Sequence, residues 1–149
     1  MSSNTFIYVT YIRTTSEKLW NALTNPEFNR QYWFGCHQES DWKPGSSWTL
    51  KMPDGRVADA GEVLECDPPR RIVLKWRNEF LPELKAEGFT RCTFEIEEAD
   101  GMAKLTVTHQ AERPSVFIDK VSTGWPKILS SLKSLLETGN GLPRTDQPK

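Results

Sequence analysis

The stretch WPKILSSLKSLLET, Trp125 to Thr138, decides the fold. Trp125, Ile128, Leu129, Leu132, Leu135 and Leu136 recur at helical spacing and share one broad face of an α-helix. Gly139 follows where a C′ glycine belongs, and Pro143 lies just beyond it. A helix this apolar on one side must bury that side. Pro126 has no backbone N–H and is comfortable only in a first turn. The helix is therefore predicted to open near Trp125, with Gly124 permitting a loose start or a bend and Glu112 to Ser122 serving as a connector.

The partner for that face is found upstream, where nearly everything reads as β-strand. Phe6 to Ile12 is rich in β-branched and aromatic residues on both parities, which predicts a strand covered at least in part on both sides. Thr14, Thr15 and Ser16 offer caps for a short helix bearing Leu19, Trp20 and Leu23, and Asn25-Pro26 caps a second one reaching about Tyr32. Strands follow over Cys36–Trp42, Ser47–Met52, Arg56–Cys66, Ile72–Arg77, Thr90–Glu98 and Lys104–Gln110. Their separators are turn formers: Lys43-Pro44-Gly45, Pro53-Asp54-Gly55, Asp67-Pro68-Pro69 and Asp100-Gly101. Gly61 marks a bulge or a bend in the fourth strand. Asn78 to Gly88 breaks the rhythm as a loop with one helical turn, long enough to act as a rim or lid. The expected architecture is α+β: a curved antiparallel sheet of about six to seven strands gripping one C-terminal helix, with a cavity between them wherever the grip is incompletely filled.

At 149 residues the chain reads as one domain over 1–139, followed by a polar tail, 140–149, expected to be disordered or loosely attached. A net charge of -1 gives no basic excess for nucleic acid. No apolar run approaches the ~20 residues of a membrane span, and the N-terminus lacks a signal-peptide pattern. Cys36, Cys66 and Cys92 are odd in number and form no C-x-x-C pair, which argues against a disulfide framework and fits a reducing cytoplasm.

Five stretches in the right order resemble the START-like, birch-pollen-allergen-like helix-grip superfamily (SRPBCC), in its branch homologous to the activator of the heat-shock-protein-90 ATPase. They are SEKLWNALTNPE (Ser16–Glu27), YWFG (Tyr32–Gly35), SDWKPGSSW (Ser40–Trp48), GEVLECDPPRRIVLKW (Gly61–Trp76) and GWPKILSSLKSLLETG (Gly124–Gly139). The resemblance implies a helix-grip fold but no single activity. The superfamily includes lipid and hormone binders, polyketide cyclases and aromatases, and co-chaperone domains. Its eukaryotic co-chaperone carries an additional N-terminal domain for which this chain has no room, so chaperone interaction is not expected.

The chemistry-bearing residues are few. His109 alternates with Leu105 and Val107 and points inward, where a lone imidazole could act on a ligand near neutral pH; a core-edge histidine satisfied by one hydrogen bond is the preferred reading. Cys36 and His37 are adjacent on a strand, face opposite ways and cannot form a dyad. No metal-ligand spacing and no phosphate-binding glycine loop is present, so neither metal nor cofactor is expected. Asp59 and Glu62 have opposite parity, so at most one faces inward on a regular strand; solvent-facing carboxylates are the expectation for both. Arg77 reads as a rim charge.

That leaves the aromatics. Trp33, Phe34, Trp42, Trp48, Trp76, Phe94, Phe117 and Trp125, with His109 and Leu129, are the candidate lining of a ligand cavity. The leading expectation is binding of a hydrophobic or amphipathic small molecule, without assigned catalytic residues, in a stress-related or regulatory setting. The alternatives are a cyclase, aromatase or hydrolase using the same cavity, and a module acting through its outer surface as a homodimer or on a client protein. In the pocket readings the helix is pictured as a movable wall that gives way at Trp125 and the Gly124–Pro126 break.

Overall fold

The computed structural model describes residues 4–143. Chain order is β1 (Thr5–Ile12), α1 (Ser16–Thr24), α2 (Pro26–Tyr32), β2 (His37–Ser40), β3 (Ser47–Lys51), β4 (Val57–Asp67), β5 (Arg71–Asn78), α3 (Pro82–Lys85), β6 (Thr90–Ala99), β7 (Met102–Gln110) and α4 (Val116–Thr138). The seven strands form one antiparallel sheet in the order β1-β7-β6-β5-β4-β3-β2. Each neighbour from β2 to β7 is a hairpin partner, while β1 joins the far side beside β7. The chain must therefore cross from one edge of the sheet to the other between β1 and β2. Helices α1 and α2 make that crossing, capped by the Thr15 side chain accepting from Lys18 N and the Asn25 side chain accepting from Glu27 N.

One face of the sheet is buried. Ile12, Trp48, Leu50, Val63, Ile72, Leu74, Trp76, Cys92, Phe94, Ile96, Leu105 and Val107 meet Trp125, Leu129, Leu132 and Leu135 of α4 in a single core. The expectation that β1 is covered on both sides fails. It is an edge strand whose inner face meets α4 while no second layer covers its outer face, where Ile7, Val9 and Tyr11 are 59%, 47% and 43% exposed.

The long helix also differs from expectation. It starts nine residues before Trp125, at Val116, inside the segment read as a connector. Ser115 caps it, its hydroxyl accepting from Ile118 N at 3.1 Å. Glu87, from the loop before β6, reinforces this end: its carboxylate accepts from Ser115 Oγ (2.6 Å), Val116 N (3.2 Å) and Phe117 N (3.2 Å). A negative charge on unpaired N–H groups at a helix start is favourable, which explains why so β-rich a sequence as Val116-Phe-Ile118 turns helical. Pro126 consequently lies in the helix interior. Trp125 is no loose end but an anchor, 2% exposed and packed between Trp33, Trp76 and Phe94 at centroid distances of 5.5–5.8 Å.

At its other end α4 stops at Gly139, whose φ of 90° is the left-handed turn that glycine takes without penalty. Lys133 Nζ bonds Tyr11 O and the Glu137 carboxylate, which in turn accepts from Arg13 N, so the helix is tied to β1. Of the expected loose tail, Gly141 packs on Gln31 and Leu142 N donates to the buried Ser131 Oγ at 3.0 Å; residues 144–149 lie outside the described residues.

Gly61 works differently from the bulge anticipated there. The bulges of β4 fall at Ala58, against β3, and at Leu64, against β5. Gly61 pairs with Trp48 on one side and Trp76 on the other. A Cβ on it would stand 1.7 Å from Lys75 O. Having none, it lets the two indoles close over β4 at a centroid distance of 4.3 Å.

Candidate functional site

A pocket of about 270 Å³ opens between β3–β5 and the first half of α4. Its walls are mostly apolar: Leu50 and Trp76 from the sheet, Trp33 behind α2, Leu81 and Leu84 from the α3 loop, and Phe117, Val121, Trp125 and Ile128 from α4. Gly124 faces it with nothing within 4 Å of where a Cβ would stand. Lys120 stands at its exposed rim. The α3 loop and the start of α4 are joined through Glu87, so two walls of the pocket are held to each other.

Into this apolar space project three polar side chains, Asp59, Asn78 and Trp76. Asp59 and Asn78 are register partners on β4 and β5, and the bulge at Ala58 adjoins Asp59. Bulges re-aim side chains in this way beside functional sites. Asp59 is 7% exposed, against the expectation of a solvent-facing carboxylate. Its parity is that of Gly61 and Val63, the inner face, whereas Glu62 takes the opposite parity. Asn78 Nδ2 donates to Asp59 Oδ1 at 2.9 Å, while Asn78 Oδ1 accepts from Phe80 N and Leu81 N of the α3 loop. Burial in this apolar setting pushes the Asp59 carboxyl up from 3.8 to about 7; the bond from Asn78 offsets part of the rise and the nearby Glu79 charge adds to it. The indole N–H of Trp76 approaches the same carboxyl closely enough to favour its charged form, yet makes no formal hydrogen bond to any group. Trp76 is 2% exposed, and its Nε1 is the one buried side-chain nitrogen or oxygen without a partner among the described residues. Such an orphan donor is costly and uncommon.

His109 lies elsewhere. It is fully buried in the core and fully satisfied: Nδ1 accepts from Trp125 Nε1 at 3.1 Å, and Nε2 lies 2.9 Å from Thr90 Oγ1, which donates to Trp76 O at 3.0 Å. Because an indole only donates, the His109 proton is assigned to Nε2. Burial drives the imidazole from 6.5 to about 3, so it stays neutral. It ties α4 to the sheet and does not line the pocket.

Of the aromatic candidates, the structure brings Trp33, Trp76, Phe117 and Trp125 to the pocket. Phe34 lines an adjoining hollow of about 310 Å³ with Cys36, Thr123 and Lys127, separated from the pocket by the shared residues Trp33, Gly124 and Ile128. Trp42 borders a polar hollow at the β2 edge. Trp48, Phe94 and Leu129 fill the core. Sequence reasoning missed Asn78, Leu81, Leu84 and Val121. The parity of Asp59 on β4 was the signal available for the carboxylate. His37 pairs with Glu39 at 2.8 Å. Among the described residues no three His, Cys, Asp or Glu side chains converge on one point, and no helix is long and apolar enough to cross a membrane.

Comparison with known proteins agrees with this architecture. The solution structure of the Aha1 dimer from Colwellia psychrerythraea aligns with 93% of this chain and 100% of its own, at 20% identity and a TM-score of 0.72. An HSP90 activator from Plasmodium falciparum aligns over 90% of this chain and 96% of its own, at 22% identity and a TM-score of 0.73. DynU16, from the dynemicin biosynthetic locus, shares the fold over 93% of this chain and 49% of its own, at 21% identity and a TM-score of 0.75. Likeness at these identities speaks for the fold alone. No curated protein matches the chain. Residues 13–137 match the family described as Activator of Hsp90 ATPase homolog 1-like protein, and the chain belongs to that family, within the helix-grip fold.

Proposed function

We propose that the protein binds a hydrophobic or amphipathic small molecule in the pocket between the sheet and α4. One observation carries this reading: an apolar pocket of about 270 Å³ in which the orphan N–H of Trp76 and the buried carboxyl of Asp59 converge. Ligand sites have this composition, an apolar lining with a few orienting polar groups. The occurrence of a structural neighbour in a biosynthetic locus supports a small-molecule setting. An odd number of cysteines without a C-x-x-C pair supports a reducing, cytoplasmic one.

Gly124→Leu provides the test. A Cβ at this position meets nothing within 4 Å, so the added side chain is placed at the pocket wall. Native mass spectrometry of the protein from cells should find a small-molecule adduct on the wild type and none on the folded variant. Equal adducts on both, or none on either with no uptake of an apolar probe such as anilinonaphthalene sulfonate, would overturn the reading.

A second reading is favoured by Asp59: a carboxyl titrating near neutrality inside a pocket has the properties of a general acid or base. Turnover of a pocket ligand that is lost in Asp59→Asn, with binding retained, would establish it. A third rests on the exposed Ile7, Val9 and Tyr11 of edge strand β1 and on the dimer reported for the Colwellia protein. Self-association through this face predicts a dimer in sedimentation that Val9→Lys dissociates.

A further inference from the structure

Resting on the pocket-binding reading above, we propose that the pocket selects molecules bearing a hydroxyl group on a compact apolar body, the hydroxyl oxygen accepting from Trp76 Nε1 and its hydrogen donated to Asp59 Oδ2. The argument is one of hydrogen-bond accounting. An indole N–H can only donate, so Trp76 requires an acceptor from the ligand. Asn78 is fixed in orientation: its Oδ1 takes Phe80 N at 3.1 Å and Leu81 N at 2.8 Å, so that Nδ2 donates one of its two hydrogens to Asp59 Oδ1 at 2.9 Å. Asp59 Oδ1 is thereby occupied, and the carboxyl makes no second formal hydrogen bond among the described residues, the Trp76 N–H standing close beside it. With Asp59 ionised, the site thus offers the Trp76 donor and a carboxylate acceptor side by side within an apolar wall.

A hydroxyl is the small group that both accepts and donates at a single atom, so it satisfies the two together. The alternatives fit less well. An ammonium brings no acceptor for the indole. A carboxylate places its charge against Asp59, in a site to which Glu79 already adds negative potential. Glu79 is itself held by Arg77 at 2.6 Å and Lys85 at 3.1 Å, so those cations are engaged away from the ligand. A bare hydrocarbon or an ether leaves at least one of the two groups unpaired. The volume, about 270 Å³, is at the small end for ligand pockets and suits a one- or two-ring body.

The test uses 2-naphthol, 2-methoxynaphthalene and naphthalene as probes, titrated into the full chain by calorimetry. Binding is followed in parallel through the indole N–H resonance of Trp76, assigned with Trp76→Phe. Sites built to pair a ligand hydroxyl discriminate strongly against analogues lacking it. The naphthol should bind at least ~10-fold more tightly than either analogue and shift the Trp76 resonance downfield. In Asp59→Asn the bond from Asn78 Nδ2 holds the new amide oxygen and turns its NH2 toward the pocket, replacing an acceptor by a donor. The naphthol should then lose its advantage over the methyl ether, to within ~3-fold. Three probes binding equally to the wild type would overturn the hydroxyl assignment and leave the pocket reading standing. Binding of none would overturn both. A naphthol preference that survives in both Asp59→Asn and Trp76→Phe, or one without movement of the Trp76 resonance, would show that the hydroxyl is read elsewhere. Because Asp59→Asn is isosteric, the affinity comparison between it and the wild type stands whether or not Trp76→Phe folds.

Discussion

Asp59→Asn should make the protein more stable, and by an amount that depends on pH. In the unfolded chain the Asp59 carboxyl ionises near 3.8, while in the folded protein burial delays this to about 7. Between those values the native state holds a proton that the unfolded state has released, so stability falls as pH rises through the window and levels off above it. The rise from 3.8 to about 7, at ~1.36 kcal/mol per pH unit, corresponds to roughly 4 kcal/mol of native-state destabilisation above neutrality. Asparagine keeps the shape and can still accept from Asn78 Nδ2, so little is lost in exchange. The stability difference between variant and wild type should be near zero at about pH 4 and grow to some 2–4 kcal/mol at about pH 8. Urea denaturation at one-unit steps of pH measures it, with an unchanged m-value showing that the native and unfolded surfaces are the same. Taking the difference matters, because His109 gives the wild-type curve an opposing slope. A difference that is flat with pH, or a variant less stable than wild type at pH 8, would refute the placement of Asp59 as a buried, uncompensated acid.

Four further outcomes follow from other parts of the molecule. In the Asp59→Asn background the His109 slope is unmasked: the buried neutral imidazole resists protonation that the unfolded chain accepts below 6.5, so stability should fall by ~1.4 kcal/mol per pH unit on acidification, with the His109 nitrogen shifts remaining those of the neutral ring at about pH 5 in NMR. Gly61→Ala sets a methyl 1.7 Å from a backbone oxygen, so it should cost upwards of ~3 kcal/mol or abolish soluble expression, read as a loss of thermal transition. Gly124→Ala meets nothing and should gain about 0.5–1 kcal/mol from helix propensity in the same assay. Glu87→Gln withdraws a charge from three donors at the start of α4 and should cost roughly 1–2 kcal/mol, with faster hydrogen exchange at Val116 and Phe117.

The sheet was legible because it obeys simple periodicities. Ile72, Leu74 and Trp76 alternate with Val73, Lys75 and Arg77 on β5, and Pro-Asp-Gly and Asp-Gly mark the turns around β4 and β7. What escaped notice was decided by long-range contacts. Val116 to Ser122 forms helix because Glu87, far away in sequence, supplies the cap; no local signal predicts that partner. Pro126 argued for a helix start, and tertiary anchoring through Trp125 and Leu129 overrides its local penalty. The cavity aromatics could not be sorted from core aromatics because the distinction depends on where α4 crosses the sheet, not on residue type. Trp48 and Trp76 are equivalent in pattern, yet only Trp76 borders the pocket. Asp59 was within reach: parity allowed one inward carboxylate on β4, and only the general preference of carboxylates for solvent spoke against it.

How completely each buried polar group is paired then separates core from site. The core of this protein carries several polar side chains, and they are closed into networks. Gln38 takes Trp48 Nε1 and gives to Leu23 O; Asn29 gives to Ala22 O, Leu23 O and the Tyr32 hydroxyl; His109 is bonded through both ring nitrogens. Such pairing recovers the cost of desolvation and fixes α1, α2 and α4 on the sheet. At the pocket the rule lapses. Trp76 Nε1 has no acceptor, and Asp59 holds its carboxyl with one bond and a strongly displaced titration. Trp48 shows that this fold can satisfy a buried indole one hairpin away, by placing Gln38 opposite it. The unsatisfied indole and the singly bonded carboxyl therefore lie together where an added molecule could reach both, and a ligand hydroxyl would do for Trp76 what Gln38 does for Trp48.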